Sequence, residues 1–285
     1  MIDAYGILWG MDIKTNYHTH TTWCDGCSTP EAMIQSAIER GFTALGFSSH
    51  ARLPECVPGN LTPESAVRYA AEIRALAATY APRLRILLGV EADYIAGVTA
   101  PTRTCYGHLD LDYLIGSVHY VPAPDGALVC VDDTPDALRD GIRDHFDGDA
   151  LSFLRGYFAA NRDMAARCDC TIIGHPDLVR KFNVKLHYFD EDDLVYRDEL
   201  AHTAEVFAAS GKIVEVNTGG IARGWMDDAY PSSAFRDLLR ARGCRFILSS
   251  DAHFPDGLDC AFDRFAHAEN YVSTPLDSAT RAMYP

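Results

Sequence analysis

The stretch TPEAMIQSAIERGFTALGFSSH, residues 29–50, contains one complete helix–strand unit, and similar units recur along the chain. Thr29 followed by Pro30 is typical of a helix start, because threonine caps the free amides and proline fits the first helical position. This pattern predicts a helix over Ala32–Arg40, and Gly41 is the expected stop. The short apolar run ALGF that follows predicts a buried strand.

Short apolar runs alternate with amphipathic segments over most of the chain. Seven runs rich in Ile, Val, Leu and Phe are predicted to be strands: Ile13–Tyr17, Ala44–Phe47, Arg85–Val90, Tyr113–Val118, Thr171–Ile173, Ile213–Val216 and Arg245–Leu248. Four further helices are predicted at Ser65–Tyr80, Ala150–Arg167, Glu191–Ala209 and Ser233–Arg242. Strands that alternate with helices indicate an α/β protein with a mostly parallel sheet.

Seven such strands predict a closed or nearly closed barrel, with an open doubly wound sheet as the structural alternative. No GxGxxG motif follows the first strand, so the dinucleotide-binding form of that alternative has little support. There is no internal repeat, low-complexity tract or linker, so residues 1–285 are interpreted as a single domain. Residues 1–12 are a candidate N-terminal extension, with Met11 as an alternative start.

The composition excludes several classes of protein. A hydrophobic content of 48% and a charged content of 23% are those of an ordinary globular chain, which excludes disorder and coiled coils. With 25 Lys and Arg against 40 Asp and Glu, the formal net charge is −15, which argues against a nucleic-acid partner. The apolar stretch Met1–Met11 is short, carries Asp3 and lacks a basic lead, so it is not expected to be a signal peptide, and the absence of an apolar run of about 18 residues predicts no membrane span. Nine scattered cysteines, an odd number, indicate reduced thiols and a cytoplasmic protein.

Histidines and acids concentrate where the predicted strands end. The first strand runs into His18-Thr19-His20, and alternate residues of an extended segment share a face, so both imidazoles point the same way. Asp251 and His253 repeat this spacing after the last strand. Four more strand ends carry His50, Glu91, His119 and His175. In a barrel all these ends converge on one rim, where the active sites of barrel enzymes are built.

This concentration is better explained by metal binding than by chance. A single histidine at a strand end is more often structural than a ligand, and one HxH pair is weak evidence. Unpaired polar groups in the interior cost about 1–3 kcal/mol each, and charges cost more, but a bound metal removes that cost. The sequence therefore predicts a metal centre on the rim. Its imidazole and carboxylate donors favour Zn, Mn or Fe over Mg or Ca.

Other residues of the same types have simpler interpretations. Five histidines in predicted loops or helices are expected at the surface: His108, His145, His187, His202 and His267. Cys24 and Cys27 have metal-ligand spacing, but no second pair completes a zinc ribbon. Cys168 and Cys170 are expected to pack in the core. Asp93 is either a support for the metal centre or a loop acid, and the loop interpretation is favoured.

In their order and spacing these motifs resemble the PHP superfamily, named for polymerase and histidinol phosphatase, and in particular its histidinol-phosphatase branch. The matching segments are HTH at 18–20, WCDG at 23–26, GFSSHA at 46–51, GVEADY at 89–94, YLIGSVH at 113–119, IGHPDL at 173–178, VEVNT at 214–218 and SDAH at 250–253. Ser49 and Arg52 depart from the residues common in related sequences. The resemblance implies a distorted (β/α)7 barrel with a trinuclear metal centre at the carboxyl ends of the strands.

The resemblance also implies which residues bind the three divalent transition-metal ions. The ligands of the first ion are His18, His20, Glu91 and Asp251. The second ion shares the bridging Glu91, and its other ligands are His119 and His175. The ligands of the third ion are Asp25, His50 and His253. Other branches of the superfamily have histidine where Asp25 stands.

Such a centre suits a phosphate monoester. Three divalent ions with three carboxylates and a bridging hydroxide leave about +2, which attracts a phosphate dianion although the whole chain is acidic. Bound metals lower the pKa of water to about 7, so we expect the bridging hydroxide to form at neutral pH and to attack phosphorus. The third ion is expected to offset the negative charge that develops on the phosphoryl oxygens in the transition state. Glu91 is the bridge, and Asp251 is the candidate proton shuttle. Arg223 and Arg180 are candidates for bidentate phosphate binding, with Lys181 as a substitute for Arg180.

The sequence therefore predicts a metal-dependent phosphomonoesterase that hydrolyses L-histidinol phosphate to L-histidinol and phosphate in histidine biosynthesis. A phosphoesterase for another small phosphate ester is the alternative. A PHP-type nuclease has less support, since neither a polymerase module nor a basic groove is evident, and a non-catalytic metal-binding protein would need a site closed to water. The expected partner is a small phosphorylated substrate and neither nucleic acid nor a membrane. The sequence leaves the oligomeric state open.

Overall fold

A computed structural model describes residues 14–53, 57–265 and 271–272. One parallel sheet contains seven strands, in the spatial order β1 Thr15–Asn16, β2 Ala44–Phe47, β3 Arg85–Asp93, β4 Tyr113–Ser117, β7 Ile172–Ile173, β8 Ile213–Asn217 and β9 Arg245–Ser249. The other two strands, β5 Tyr120–Pro122 and β6 Leu128–Cys130, form an antiparallel hairpin. All seven predicted strands are confirmed, and their ends differ from the prediction by at most three residues.

Helices separate most of the parallel strands. They are α1 Pro30–Glu39, α2 Pro63–Tyr80, α3 Arg103–Tyr106, α4 Pro135–His145, α5 Ala150–Arg167, α6 Asn183–Leu186, α7 Leu194–Ser210, α8 Gly219–Ala222, α9 Ser233–Ala241 and α10 Phe262–Phe265. The predicted cap of α1 is confirmed, because Thr29 accepts a hydrogen bond from the amide of Ala32. Helix α7 begins at Leu194 and not at Glu191, because Asp193 is its N-cap. All five predicted helices are present.

The first and last strands lie side by side, which closes the sheet into a barrel. The amide of His20 donates to the carbonyl oxygen of Ala252 at 2.8 Å. The amide of Ala252 donates to the carbonyl oxygen of His18 at 3.2 Å. Thr19 and Ala252 form a parallel bridge. The structure therefore confirms the predicted barrel and not the open sheet that was its alternative. Closure places the HTH segment, residues 18–20, beside the SDAH segment, residues 250–253.

Alternation along the strands divides the barrel interior into two layers. Near the amino ends of the strands lies an apolar layer, formed by Tyr17, Ala44, Leu87, Tyr113, Ile115, Ile172, Ile213 and Ile247. Further along the same faces come polar side chains: Glu91 four residues after Leu87, Ser117 two after Ile115 and Glu215 two after Ile213. The first layer is therefore an apolar floor near the amino ends of the strands. The second layer is polar and lies at their carboxyl ends.

A larger apolar core fills the space between the sheet and the surrounding helices. Phe235 of α9 is fully buried between Phe158 of α5 and Phe207 of α7, with ring centroids 6.4 and 6.1 Å away. Burial of each such side chain contributes about 1.5–3 kcal/mol. Cys168 and Cys170 are buried, as expected. This outer core holds the helices, and with them the strand ends, in place.

The segment between β4 and α5 contains elements that the sequence analysis missed. The β5–β6 hairpin and α4 lie here, and strands of three residues are too short for alternation to reveal them. A signal was available in Pro124-Asp125-Gly126, a typical turn sequence in which Gly126 has a φ of 89°. The amide of Val131 donates to the carbonyl oxygen of His119 at 2.8 Å, so the hairpin is tied to the rim of the barrel.

Some expectations concern parts of the chain that the structure does not describe. Residues 1–13 and His267 lie outside the described residues, so the N-terminal extension stays a prediction. The single-domain interpretation and the cytoplasmic location also stay predictions. The eight cysteines in the described ranges are all free. Among the helices that the structure describes, none combines the length and the apolar character needed to cross a bilayer.

Gly89 and Tyr113 make a tight contact inside the barrel. A Cβ on Gly89 would lie 2.5 Å from Cζ of Tyr113, whose hydroxyl oxygen lies 2.7 Å from the carbonyl oxygen of Tyr17 and 2.9 Å from that of Phe47. We expect Gly89→Ala to lower the free energy of unfolding by about 2 kcal/mol, since overpacking a core costs about 1–3 kcal/mol. Gly107→Ala, where a Cβ meets no described atom within 4 Å, should change it by less than about 0.5 kcal/mol. Urea unfolding followed by circular dichroism measures both, and equal losses would contradict the prediction.

Candidate metal centre

All nine residues predicted as metal ligands lie at one end of the barrel. They fall into four overlapping groups whose donor atoms lie within 4.8 Å of one another: His20, Asp25, His50 and His253; His18, His20 and Glu91; His18, His175 and Asp251; and His50, Glu91 and His119. Barrel closure and the convergence of parallel strand ends bring these groups together. The structure therefore brings the predicted ligands within reach of common ions, while metal binding by each residue stays a prediction.

Glu91 lies at the centre of this cluster. Its side chain is 1% exposed, and both of its oxygens face imidazoles. Oε2 lies 3.2 Å from Nε2 of His18 and 3.0 Å from Nδ1 of His50. Oε1 lies 2.9 Å from Nε2 of His175 and accepts a hydrogen bond from Oγ of Ser117 at 2.6 Å. A carboxylate whose two oxygens face different imidazoles fits the predicted bridge between two ions.

One edge of the cluster is more open to solvent. Oδ2 of Asp25 lies 3.1 Å from Nε2 of His253, and Oδ1 lies 3.6 Å from Nε2 of His50. The Asp25 side chain is 44% exposed, whereas that of His20 is fully buried. His50 thus faces Asp25 with one ring nitrogen and Glu91 with the other, so it lies between the predicted third ion and the predicted bridge.

Several buried donor atoms in the cluster have no hydrogen-bond partner among the described residues. These atoms are Nε2 of His18, Nε2 of His20, Nδ1 of His175 and Oε2 of Glu91. Unpartnered buried groups of this kind are costly in a folded protein, and a bound cation would remove the cost. Imidazole nitrogen and carboxylate oxygen bind zinc at about 2.0–2.2 Å, which donors at this spacing can satisfy around a shared ion. The residues present fit divalent transition metals.

The cluster is strongly charged when it holds no cation. Burial disfavours the imidazolium form of His119, yet Asp93 and Glu91 raise its pKa to about 9. The pKa of His20 is also raised to about 9 against the effect of burial. Burial likewise opposes ionisation of Glu91, but the imidazoles around it, His18 first, hold its pKa well below the usual value. A metal ion that enters the cluster must therefore displace protons from imidazoles.

Two buried carboxylates outside the predicted ligand set contact its histidines. Oε1 of Glu215 lies 2.7 Å from Nδ1 of His18, and Oδ1 of Asp93 lies 2.8 Å from Nδ1 of His119. The loop interpretation of Asp93 is wrong, because Asp93 ends β3, is buried and shares the inward face of Glu91 two residues earlier. That period-two spacing was the available signal. For Glu215 the signal was an acid inside an otherwise apolar strand.

Arg223 lies against Asp251 at the edge of the cluster. Its Nη2 donates to Oδ2 of Asp251 at 2.7 Å and its Nη1 to the backbone oxygen at 3.0 Å, while Oδ1 of Asp251 lies 3.2 Å from Nε2 of His20. Burial opposes ionisation, but Arg223 and then His18 hold the pKa of Asp251 well below its usual value. A Cβ on Gly219 would lie 2.7 Å from Nη2, so this approach requires glycine. The catalytic roles of Arg223 and Asp251 stay predictions.

Arg180 and Lys181 differ in what they contact. Arg180 is 8% exposed, its Nε donates to Glu191 at 2.9 Å, and its Nη1 lies 3.8 Å from Asp177. Lys181 lines the cavity beside the cluster, and its Nζ donates to the carbonyl oxygen of Asp132 at 2.8 Å. Because the buried Asp177 and the partly exposed Glu191 hold the guanidinium of Arg180, the geometry favours Lys181 for contact with a ligand. Substrate binding by Arg180 stays a prediction that these contacts do not support.

A cavity of about 640 Å³ opens onto the cluster. On one side it is lined by predicted ligands and by Arg223, and on another by Tyr120, Asp132 and Asp133 from the β5–β6 hairpin and the residues that follow it. Leu178 contributes apolar surface. The volume is within the range of about 300–1,000 Å³ that is typical of small-molecule sites.

Of the remaining histidines, the four that the structure describes lie at the surface, as predicted. Three of those that the structure describes are exposed: His108, His187 and His202. His145 is partly exposed and lies 2.8 Å from Asp125. Sγ of Cys24 lies 3.4 Å from Nδ1 of His20, and the groups of close donor atoms in the described chain include no cysteine. A separate zinc site at the CxxC pair therefore has no support.

Residues 16–219 match the PHP domain family, which is most of the barrel. This chain belongs to the PHP family. A PHP relative from Deinococcus radiodurans, named "Probable histidinol-phosphatase", is 33% identical over 244 residues, which cover 84% of this chain and 85% of the relative.

Two solved structures share the fold of this PHP chain. A Listeria monocytogenes protein assigned as a histidinol phosphatase has a TM-score of 0.78 at 20% identity, covering 88% of this chain and 100% of that one. Histidinol phosphate phosphatase from Lactococcus lactis, solved with zinc, L-histidinol and phosphate, has a TM-score of 0.62 at 20% identity, covering 85% and 87%. These likenesses confirm the distorted (β/α)7 barrel.

Metal binding by this PHP chain should release protons. Without a cation, His20 and His119 have pKa values of about 9, so both are protonated at pH 7.5 and must lose a proton to bind a metal. The apparent affinity for Zn²⁺ should fall as the pH decreases from 9 to 6, by about tenfold per pH unit for each displaced proton. Calorimetric titration of chelator-treated protein in buffers of different ionisation enthalpy counts these protons. Release of less than one proton per chain at pH 7.5 would contradict the prediction.

Proposed function

We propose that this chain is a metal-dependent phosphomonoesterase that hydrolyses L-histidinol phosphate to L-histidinol and phosphate. The observation that carries the proposal is the cluster of nine imidazole and carboxylate side chains, which opens onto a cavity of small-molecule size. Support comes from the Deinococcus relative, which is named for this activity. Further support comes from the Lactococcus structure, which contains zinc together with L-histidinol and phosphate, the two products of this reaction.

The proposed centre holds three divalent ions, of Zn, Mn or Fe. Glu91 would bridge two of them, since its two oxygens face different imidazoles. Asp25, His50 and His253 would hold the third, at the edge that is more exposed to solvent. When bound, such ions lower the pKa of water to near neutrality and offset negative charge on the phosphoryl group.

The side chains around the ions have distinct proposed tasks. Arg223 lines the cavity, and its side chain is 25% exposed, so its guanidinium can donate to a phosphate oxygen. Lys181 presents a further cationic group on the same cavity. Asp251, held ionised by Arg223, is proposed to accept a proton from the attacking water and to pass it to the leaving oxygen. A carboxylate that is ionised before the reaction can accept this proton, as the proposed shuttle requires.

The cavity has a wall that suits the organic part of this substrate. L-Histidinol phosphate joins a phosphate dianion to an ammonium group and an imidazole ring. Asp133 lines the cavity and forms no ion pair with any residue that the structure describes, so its carboxylate is available to the ammonium group. Tyr120 lines the same cavity and offers an aromatic ring to the imidazole. The phosphate of the substrate would thus face the cationic groups of the cavity, and its ammonium group would face Asp133.

A phosphoesterase for another small phosphate monoester is the second candidate. The observation that favours it is the ion pair of Lys181 with Asp132, 3.2 Å between Nζ and Oδ2, which neutralises part of the acidic wall. An uncharged alcohol or a sugar would then fit against that wall as well as an ammonium group. The relative activity toward charged and uncharged esters separates the two candidates.

Phosphate release from a panel of small phosphomonoesters, with Zn²⁺ or Mn²⁺ added, tests the proposed function. We expect the highest kcat/KM with L-histidinol phosphate, no turnover after chelation, and close to three metal ions per chain by mass spectrometry. Glu91→Gln should abolish turnover, because a carboxamide does not supply the charge needed to bridge two cations.

Glu199→Gln is the matched control for this variant. Glu199 pairs with Arg162 at 2.6 Å on the outer helices, away from the cavity, and its loss should leave turnover unchanged. A marked preference for an ester without an ammonium group would favour the second candidate. Near-normal turnover of Glu91→Gln would exclude the bridge, and no turnover of any ester by metal-loaded wild type would refute the proposal.

Asp133→Asn should weaken the selection of a cationic substrate. The variant removes a half-solvated ion pair with the ammonium group, so we expect KM for L-histidinol phosphate to rise about three- to fivefold with kcat unchanged. KM for p-nitrophenyl phosphate, which has no ammonium group, should stay the same. Asp136→Asn removes an exposed charge outside the cavity lining and serves as the control. Equal changes of KM for both esters would contradict the assignment of Asp133.

A further inference from the structure

Glu215 is a fully buried carboxylate that belongs to none of the groups of close metal donors. It lies in β8, two residues after Ile213, and its exposure is 0%. Burying an ionised carboxylate at this depth is costly unless hydrogen bonds and opposite charges surround it. The contacts that offset this cost show what Glu215 does.

All three polar contacts of Glu215 involve its own strand end or the predicted metal centre. Oε1 lies 2.7 Å from Nδ1 of His18. Oε2 accepts a hydrogen bond from the backbone amide of His175 at 3.0 Å and another from the side-chain amide of Asn217 at 2.9 Å. Both oxygens are therefore engaged by fixed donors, and the carboxylate contacts two predicted ligands from opposite sides of the barrel at once.

We infer that Glu215 is a positioning residue of the metal centre, which sets the ring of His18 and the backbone of His175 in their ligating orientations. The inference rests on the metal-dependent function proposed above. A proton on Nδ1 of His18 is donated to Glu215, so Nε2 keeps its lone pair and faces Oε2 of Glu91 at 3.2 Å and Oδ1 of Asp251 at 3.7 Å. Since Nε2 has no hydrogen-bond partner among the described residues, this geometry leaves it available to an ion.

Asp93 provides an internal comparison. Its Oδ1 lies 2.8 Å from Nδ1 of His119, which is the same carboxylate–imidazole arrangement on the other side of Glu91. Asp93 thus orients one predicted ligand, whereas Glu215 orients a ring and also the backbone of a second ligand segment. Carboxylates that hold metal-bound histidines in this way typically change metal affinity by 10- to 100-fold when they are removed. Loss of Glu215 should therefore have the larger effect.

Glu215→Gln is the variant that tests this inference. Glutamine has nearly the same shape, but its amide group donates where the carboxylate accepts. One of its two ends must then face a backbone or side-chain N–H that also donates, and the negative charge beside His18 is lost. We expect a folded chain in which the ring of His18 is no longer held in one tautomer.

Titration of chelator-treated protein with Co²⁺, followed by visible absorption, measures metal affinity and ligand geometry without any substrate. We expect Glu215→Gln to saturate at about 10- to 100-fold higher free Co²⁺ than wild type, with an altered d–d spectrum. Asp93→Asn should shift the titration less, and Glu199→Gln, which breaks an ion pair away from the centre, should titrate like wild type. Far-UV circular dichroism confirms that each metal-free variant is folded.

The inference is overturned if Glu215→Gln binds Co²⁺ with the wild-type affinity and spectrum. If that variant does not fold, Glu215→Asp decides: it keeps the charge but retracts the carboxylate from Nδ1 of His18, so we expect weaker binding and an altered spectrum, and an unchanged spectrum overturns the inference. Failure of the proposed function looks different. A wild-type chain that binds Co²⁺ normally but hydrolyses no phosphate ester refutes the function and leaves the role of Glu215 intact.

Discussion

Burial of the Glu91 carboxylate among imidazoles is the interaction on which the rest of the structure depends. The ring nitrogens within 3.6 Å of its oxygens belong to His18, His20, His50, His119 and His175. In an interior of low dielectric constant, an ionised carboxylate persists only where cationic groups or cations surround it. Those histidines come from four separate chain segments, so the condition is met only when the sheet closes and the strand ends meet around β3.

The apolar floor of the barrel supports the predicted ligands, which follow it along the strands toward their carboxyl ends. The ring of Tyr113 fills the interior below them, and it has room because Gly46 and Gly89 carry no side chain. Its hydroxyl lies within hydrogen-bond distance of the carbonyl oxygens of Tyr17 and Phe47, each of which directly precedes a segment that carries predicted ligands. The Tyr113 hydroxyl therefore links β4 to β2 and to the residue that follows β1. The inward face of a strand thus carries an apolar floor residue first and, further along, a side chain of the predicted metal centre or one that contacts it.

The strands and the clustering of eight of the nine predicted ligands could be predicted from the sequence because both depend on local order: apolar runs end in histidines or acids, and a barrel brings such ends together. Asp25, which follows no strand, was included only because of the resemblance to the PHP superfamily. Contacts across the barrel could not be predicted in this way. Glu215 and His18 are 197 residues apart, and only the closed sheet shows that they touch. The choice between Arg180 and Lys181 depends on a 3-10 turn at Leu178–Arg180, which rotates successive side chains by about 120°. The β5–β6 hairpin was missed since its strands are too short to show a period.

The charges around the centre indicate that phosphate binding depends on side chains as well as on ions. Five carboxylates lie in the predicted ligand set or against it: Asp25, Glu91, Asp93, Glu215 and Asp251. Three divalent ions with the bridging hydroxide would leave a net charge of about zero beside them. Arg223 and Lys181 supply further cationic groups on the same cavity. Because salt screens charges beyond about 8 Å, this local excess decides the attraction of a phosphate ester even though the chain carries a net charge of −15.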